Sequence, residues 1–299
     1  MIRQPAVAGR FYPADARELE NLIRRLISDA SASPSVEVGT TKSPAIVCLV
    51  PHAGYIYSGG VAGAVFARLV AAPQGIPRRV IILGPRHRPP GAEMAIQSEG
   101  AWQTPLGLAP IDAELARALM AACPLLKEDE VAHRREHSIE VEVPFLQVLA
   151  RDFSFVPIAI GTLNFEKLVA LGNAIAKVIS AAGEPVLLMA SSDLNHHEPD
   201  NITREKDRFA IDQMMALDPR GLYDSVRREG ITMCGVGPAV AALTAARTLG
   251  ATRAELVRYA TSADAFSPDE AGARESVVGY AGMIFSQTKR SGRDVQAAS

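Results

Sequence analysis

Cysteine is scarce: the 299 residues hold three, Cys48, Cys123 and Cys234, an odd number far below what a disulfide framework needs. That scarcity points to a reducing compartment, the cytoplasm. An excess of basic charge is also missing. Thirty-one Lys and Arg stand against 33 Asp and Glu, a formal net charge of −2, so no overall positive field exists to hold nucleic acid. The opening segment MIRQPAVAGRFYPADARE has no apolar core of the kind a signal peptide carries. Nor does any window approach the roughly 18 uncharged apolar residues of a membrane span. Neither a nucleic-acid nor a membrane partner is expected. What is present is ample core material, with 48% hydrophobic and 21% charged residues.

Apolar runs of strand length alternate with segments of helical period. Ala45–Val50, Arg79–Leu83, Phe155–Ile160 and Pro185–Ala190 read as buried strands, bounded by proline or glycine. Pro157 suggests an edge or bulge for the third of them. Ser58–Val70, Asp112–Ala122, Phe165–Ala182, Thr203–Leu217, Pro219–Glu229 and Pro238–Leu249 read as helices, with Asp112 as an N-cap. Leu256–Ala260 and Ser276–Phe285 are strand-like. Buried strands alternating with helices predict an α/β fold, a three-layer α/β/α sandwich around a mostly parallel mixed sheet. Ser31–Pro44 is linker-like but too near the N-terminus to divide two cores. A single domain over residues 1–299 is expected, with its core at about residues 5–285 and a polar tail at 286–299.

In open α/β sheets, ligands bind beyond the carboxyl ends of the strands. Four of the six histidines fall there: His52 in PHAGY, His87 in GPRH, and His196 and His197 in SSDLNHH, where Asp193 also sits. The other two share HRREHSIE. There His137 and Glu140 lie on one face if the segment is helical, and His133, beside two arginines, is expected in solvent. Pro144 fits a helix that starts near Glu140. In MCGVGP, glycines and a proline place Cys234 just ahead of a helix N-terminus, where the dipole favours a thiolate. Cys48 and Cys123 read as packing residues. The Gly59-Gly60-Val-Ala-Gly63 cluster lacks dinucleotide-loop spacing, and close helix–strand packing accounts for it.

Three chemistries use these residues. His52 and His87 with Cys234 or Asp193 can bind a metal on one side, leaving positions open; two histidines and a carboxylate suit Fe(II), two histidines and a thiolate also suit zinc or copper. His137 and His196 would then serve as acid/base or orienting groups. Alternatively, Cys234 is the nucleophile of an amidase-like hydrolase, with a histidine base oriented by Asp193, although no nucleophile elbow accompanies it. Or the pocket binds a peptide or small molecule without chemistry.

PHAGYIYSG, ILGPRH, EHSIEVEVPF, SSDLNHH and MCGVGP, in that order and with AGRFYP near the start, resemble the Memo family, one component of the bacterial and archaeal AmmeMemoRadiSam set. The resemblance covers about residues 5 to 285. It implies a fold similar to the class III extradiol (LigB-like) non-haem iron dioxygenases. It also implies a metal pocket of His52, His87 and Cys234, with Asp193 and His196 close by. Fe(II) is the metal expected, with copper or zinc as alternatives. Implied too are an oxidoreductase activity and a functional link to AMMECR-type and radical-SAM proteins. Cys234 stands where those dioxygenases carry glutamate, a softer and more oxidisable donor. Val236 and Arg88 replace a basic residue and a second histidine found in many members.

Overall fold

The central strands are apolar at every position because both of their faces are covered. A computed structural model describes residues 1–32, 45–72, 74–150, 152–267 and 272–287. The linker-like stretch Ser31–Pro44 lies outside these residues from position 33 onward, and the polar tail from position 288 onward. The first half of the chain runs β1 (Ile2–Arg3), α1 (Ala16–Ala32), β2 (Ala45–Val50), α2 (Tyr55–Ala71), β3 (Arg79–Pro85), β4 (Met94–Ile96), β5 (Ala101–Thr104), β6 (Gly107–Pro110), α3 (Ala113–Ala122), β7 (Lys127–Glu128), α4 (Glu130–Arg134) and α5 (Val143–Leu149). It continues with β8 (Ser154–Ile160), α6 (Phe165–Ala181), β9 (Val186–Ser191), β10 (His196–Glu198), α7 (Asp200–Met215), α8 (Pro219–Arg228), α9 (Val236–Thr248), β11 (Arg253–Thr261) and β12 (Val277–Ser286).

One nine-stranded sheet has the order β10-β12-β2-β9-β3-β8-β4-β7, with β11 pairing β12. Its centre, β2-β9-β3-β8, is parallel, whereas β12 joins β2 and β4 joins β8 antiparallel. The fold is thus α/β with a mixed sheet and helices on both sides. Along β2, Val47 and Leu49 enter one apolar cluster while Cys48 and Val50 enter the other, and β3 alternates the same way with Ile81 and Leu83 against Val80 and Ile82. Alternation with both faces buried explains why these strands read as unbroken apolar runs. Helices α1, α2 and α5 supply one cluster; α3 and α6 to α9 supply the other. Among the described residues, no helix is long and apolar enough to cross a membrane.

The structure corrects three expectations. Pro157 is in an interior strand: β8 is flanked by β3 and β4, and the β4 ladder spans only Ile158–Ile160, so the missing N–H lies at its margin. Gly59 and Gly63 serve helix–helix contact, because a Cβ on Gly63 would stand 2.7 Å from the Leu26 carbonyl oxygen of α1. His133 is not solvated. It is fully buried, its ring 5.7 Å from that of Trp102, and Arg3 Nε donates to its carbonyl at 2.8 Å.

Burial, then the Arg3 charge, pushes the His133 pKa down from 6.5 to about 4. A depressed histidine stabilises fully above its unfolded pKa. Between pH 6.5 and 4 the unfolded chain takes up a proton that the folded chain refuses, so stability falls as pH falls. The displacement corresponds to on the order of 3 kcal/mol. Denaturant melts of wild type and His133→Phe are expected to diverge by about that amount between pH 7 and pH 4, the wild type losing more; parallel profiles would refute the assignment.

Candidate functional site

Three adjacent parallel strands converge on one point. The register sets Val50 of β2 beside Ser191 of β9, and Leu83 of β3 beside Ala190 of β9. Strands β2 and β3 are two spacings apart, roughly 9–10 Å. Residues leaving their carboxyl ends can therefore lean together over the end of β9. His52 and His87 do so, with ring centroids 5.3 Å apart. A loop from the other side completes the cluster: Gly235, the N-cap of α9, approaches β9 so closely that a Cβ there would stand 2.4 Å from Ser192 Cβ. This brings Cys234 Sγ to 3.2 Å from His52 Nε2. One ligand atom from each of His52, His87 and Cys234 lies within 4.8 Å of the other two.

The hydrogen bonds fix which ring nitrogen faces the cluster. Ser191 Oγ is 2.6 Å from the Ser138 carbonyl, 3.0 Å from Glu142 Oε1 and 2.8 Å from His52 Nδ1. Its single proton goes to the carbonyl or to Glu142, so His52 Nδ1–H donates to the hydroxyl and Nε2 carries the lone pair. Glu136 plays the corresponding role for His87, whose Nδ1 lies 2.9 Å from Oε1. Burial pushes the Glu136 carboxyl up. The His87 hydrogen bond and charge, with the Ser138 peptide N–H, outweigh it and hold the group well below the ordinary range. As an acceptor-only carboxylate it accepts a hydrogen bond from Nδ1–H, leaving Nε2 of His87 with the free lone pair. Two imidazole lone pairs and one sulfur are a donor set that fits iron, copper or zinc.

Around this cluster the other expected residues fall at different depths. His137 stacks on His87 at 4.7 Å between ring centroids and 14° between planes, with its edge toward Phe11 at 4.9 Å. It is pushed down to about 4, first by burial, with Glu136 opposing. Asp193 is buried and accepts from the His52 peptide N–H at 2.8 Å, which fixes the turn carrying that histidine; burial raises its carboxyl to about 7. Asp193, His196 and Cys234 form a second group whose ligand atoms lie within 4.8 Å, so Cys234 is common to both. The thiolate expectation is corrected. Although Cys234 stands one residue before the N-cap, burial and then the Asp193 charge raise its thiol well above the usual range. Without a cation beside it, the group is a thiol.

Residues 136–139 are not helical, and Glu140 turns away from His137. It pairs with Arg3 at 2.7 Å and accepts from Tyr12 and the Ala6 and Val7 peptides, fastening the N-terminal segment. A 3-10 turn over Glu140–Glu142 leads into α5, with Pro144 in its first turn as expected. Glu136, Glu142 and Ser191 were not singled out from sequence. The available signal was three acids set in the otherwise apolar run EHSIEVEVPF, too dense in hydrophobic residues for a solvated face. A cleft of about 560 Å³ lies beside the cluster, lined by Phe11, Tyr57, His137, Asp193, His196 and Tyr280 among others.

Comparison with known proteins adds kinship. A family model described as "Memo-like protein" matches residues 3–284. A MEMO1 family protein of Methanopyrus kandleri is 40% identical over 289 residues, covering 95% of this chain and 99% of that protein. One of Methanothermobacter thermautotrophicus is 39% identical over 288 residues, covering 94% and 99%. A crystal structure of an uncharacterized protein from Escherichia coli K12 is similar in fold, with a TM-score of 0.50 at 12% identity over 80% of this chain and 98% of that one.

Proposed function

The chain belongs to the Memo family, and from that premise we propose that it is a metal-dependent oxidoreductase whose His52 Nε2, His87 Nε2 and Cys234 Sγ hold one iron(II) ion. The observation that carries this reading is the convergence of one ligand atom from each of these three residues within 4.8 Å, with both Nδ1 atoms engaged by Ser191 and Glu136. Its expected kinship with class III extradiol dioxygenases is part of the same proposal. A three-donor site leaves positions open, and a bound redox metal there supplies one-electron chemistry and Lewis acidity toward a small molecule in the cleft. The chain's own residues would then orient that molecule. Phe11 and Tyr57 offer apolar walls, while His137 and His196 offer imidazole donors and acceptors beside the ligands. Asp193, through the His52 peptide, holds the turn in place.

Two outcomes follow. Glu136→Gln puts an amide where three peptide N–H groups and an imidazole N–H now donate, so metal affinity is expected to fall roughly 10–100-fold. Competition titration against a fluorescent chelator measures it, and unchanged affinity would remove Glu136 from the site. His137→Ala and His196→Ala, by contrast, are expected to keep near-normal metal content and to lose turnover or ligand affinity. The assay is oxygen uptake with a panel of catechols and thiols, with anaerobic controls. Metal loss in His196→Ala would make it a ligand. Ligand binding without any oxygen uptake would favour a binding protein over an enzyme.

A further inference from the structure

A second cavity of about 560 Å³ adjoins the cleft and is unusually positive. Arg3, Arg10, Arg88, Arg134 and Arg135 line it, against a single acid, Glu130. Arg3 is committed to Glu140 at 2.7 Å. The other four make no ion pair among the described residues; the terminal nitrogen of Arg10 is held only by the Ala6 carbonyl, at 2.7 Å. Some exposed arginines elsewhere pair with acids, as Arg24 does with Glu20 and Arg208 with Asp212, whereas Arg17, Arg25, Arg78 and Arg117 stand exposed and singly without an ion pair among the described residues. What sets this cavity apart is the gathering: four guanidinium groups without an ion pair line one concavity with a single acid, in a chain of net charge −2.

The two cavities share a wall. Arg10, Phe11 and His137 line both. Arg88 follows His87 directly, and its charge acts on His137. The side chain that stacks on a proposed metal ligand thus forms the boundary between an arginine-lined chamber and an aromatic one. Guanidinium forks match the planar oxygens of carboxylates and the oxygens of phosphates, and the volume is that of a small-molecule site.

We propose that the arginine cavity binds the anionic end, a phosphate or carboxylate group, of an organic ligand whose other end passes His137 into the cleft beside His52, His87 and Cys234. The anion site stands on its own residues; the placement of the ligand's far end rests on the metal-site reading above.

Calorimetric titration of metal-free protein with inorganic phosphate and with malonate tests the first part. At least one anion is expected to bind, to weaken with added salt, and to bind about tenfold more weakly to the double variant Arg134→Gln, Arg135→Gln and to Arg88→Gln. Tighter phosphate assigns a phosphate ester, tighter malonate a carboxylate. Binding of neither, or equal binding by wild type and variants, overturns the anion site. Phenyl phosphate and phenylmalonate added to iron-loaded protein test the span: the ring protons are expected to relax faster than in metal-free protein, and in phenyl phosphate more strongly than the phosphorus. Ring protons indifferent to iron would overturn the span, and phosphorus relaxing more strongly would mean that the anion itself sits on the metal. Metal content of the same samples separates the two claims, because stoichiometric metal without anion binding sinks only this proposal.

Discussion

His52→Ala and His87→Ala are each expected to lose stoichiometric metal while remaining folded. Each removes one of three proposed donors, so the affinity loss is expected to exceed the roughly 100-fold upper range for an outer hydrogen-bond partner. The two differ in structural cost. His52 is 1% exposed and bonded to Ser191, so its removal leaves a buried hydroxyl and a carboxyl to rearrange, costing about 1–3 kcal/mol. The His87 side chain is 28% exposed and follows its strand in a loop, so its removal costs less. Elemental analysis paired with a thermal melt reads both quantities. A folded variant that retained one metal per chain would break the three-donor arrangement.

Alkylation at Cys234 is expected to be at least about tenfold slower in metal-loaded than in metal-free protein. A thiolate bound to a metal is neither free nor accessible, whereas the metal-free thiol, though raised by burial and Asp193, is only partly buried. Cys48 and Cys123 are buried and serve as internal controls that stay unlabelled in both states. Peroxide is expected to release the metal as the sulfur is oxidised. Equal labelling of Cys234 in both states would transfer the third position to Asp193, and Asp193→Asn would then lower metal affinity while Cys234→Ser would not.

How much of this was legible depended on whether a residue's surroundings lie near it in the chain. Strand β2 is bounded by Pro44 and Pro51 in sequence, and because both faces are buried its apolar run has the same limits as the strand. With the parallel order of such strands, the position of His52 and His87 at the carboxyl edge followed from sequence. Helix α1 was overlooked although Leu19, Leu22, Ile23, Leu26, Ile27 and Ala30 keep helical spacing, a signal present and unread. Strands of two to four residues, such as β1, β4 and β7, are too short to carry a period. His133 was misplaced because its neighbours Arg134 and Arg135 are exposed while its own ring turns toward Trp102, a partner 31 positions away. The Cys234 thiol was misjudged for the same reason: the helix start is local, but the burial and the Asp193 charge that outweigh it come from a strand end 41 positions earlier.

The account turns on whether the three atoms hold a metal at all. Protein purified under nitrogen and submitted to elemental analysis is expected to carry about one iron per chain. One copper or zinc per chain would keep the site and change the metal. Absence of any stoichiometric transition metal, both as purified and after anaerobic loading, would contradict it.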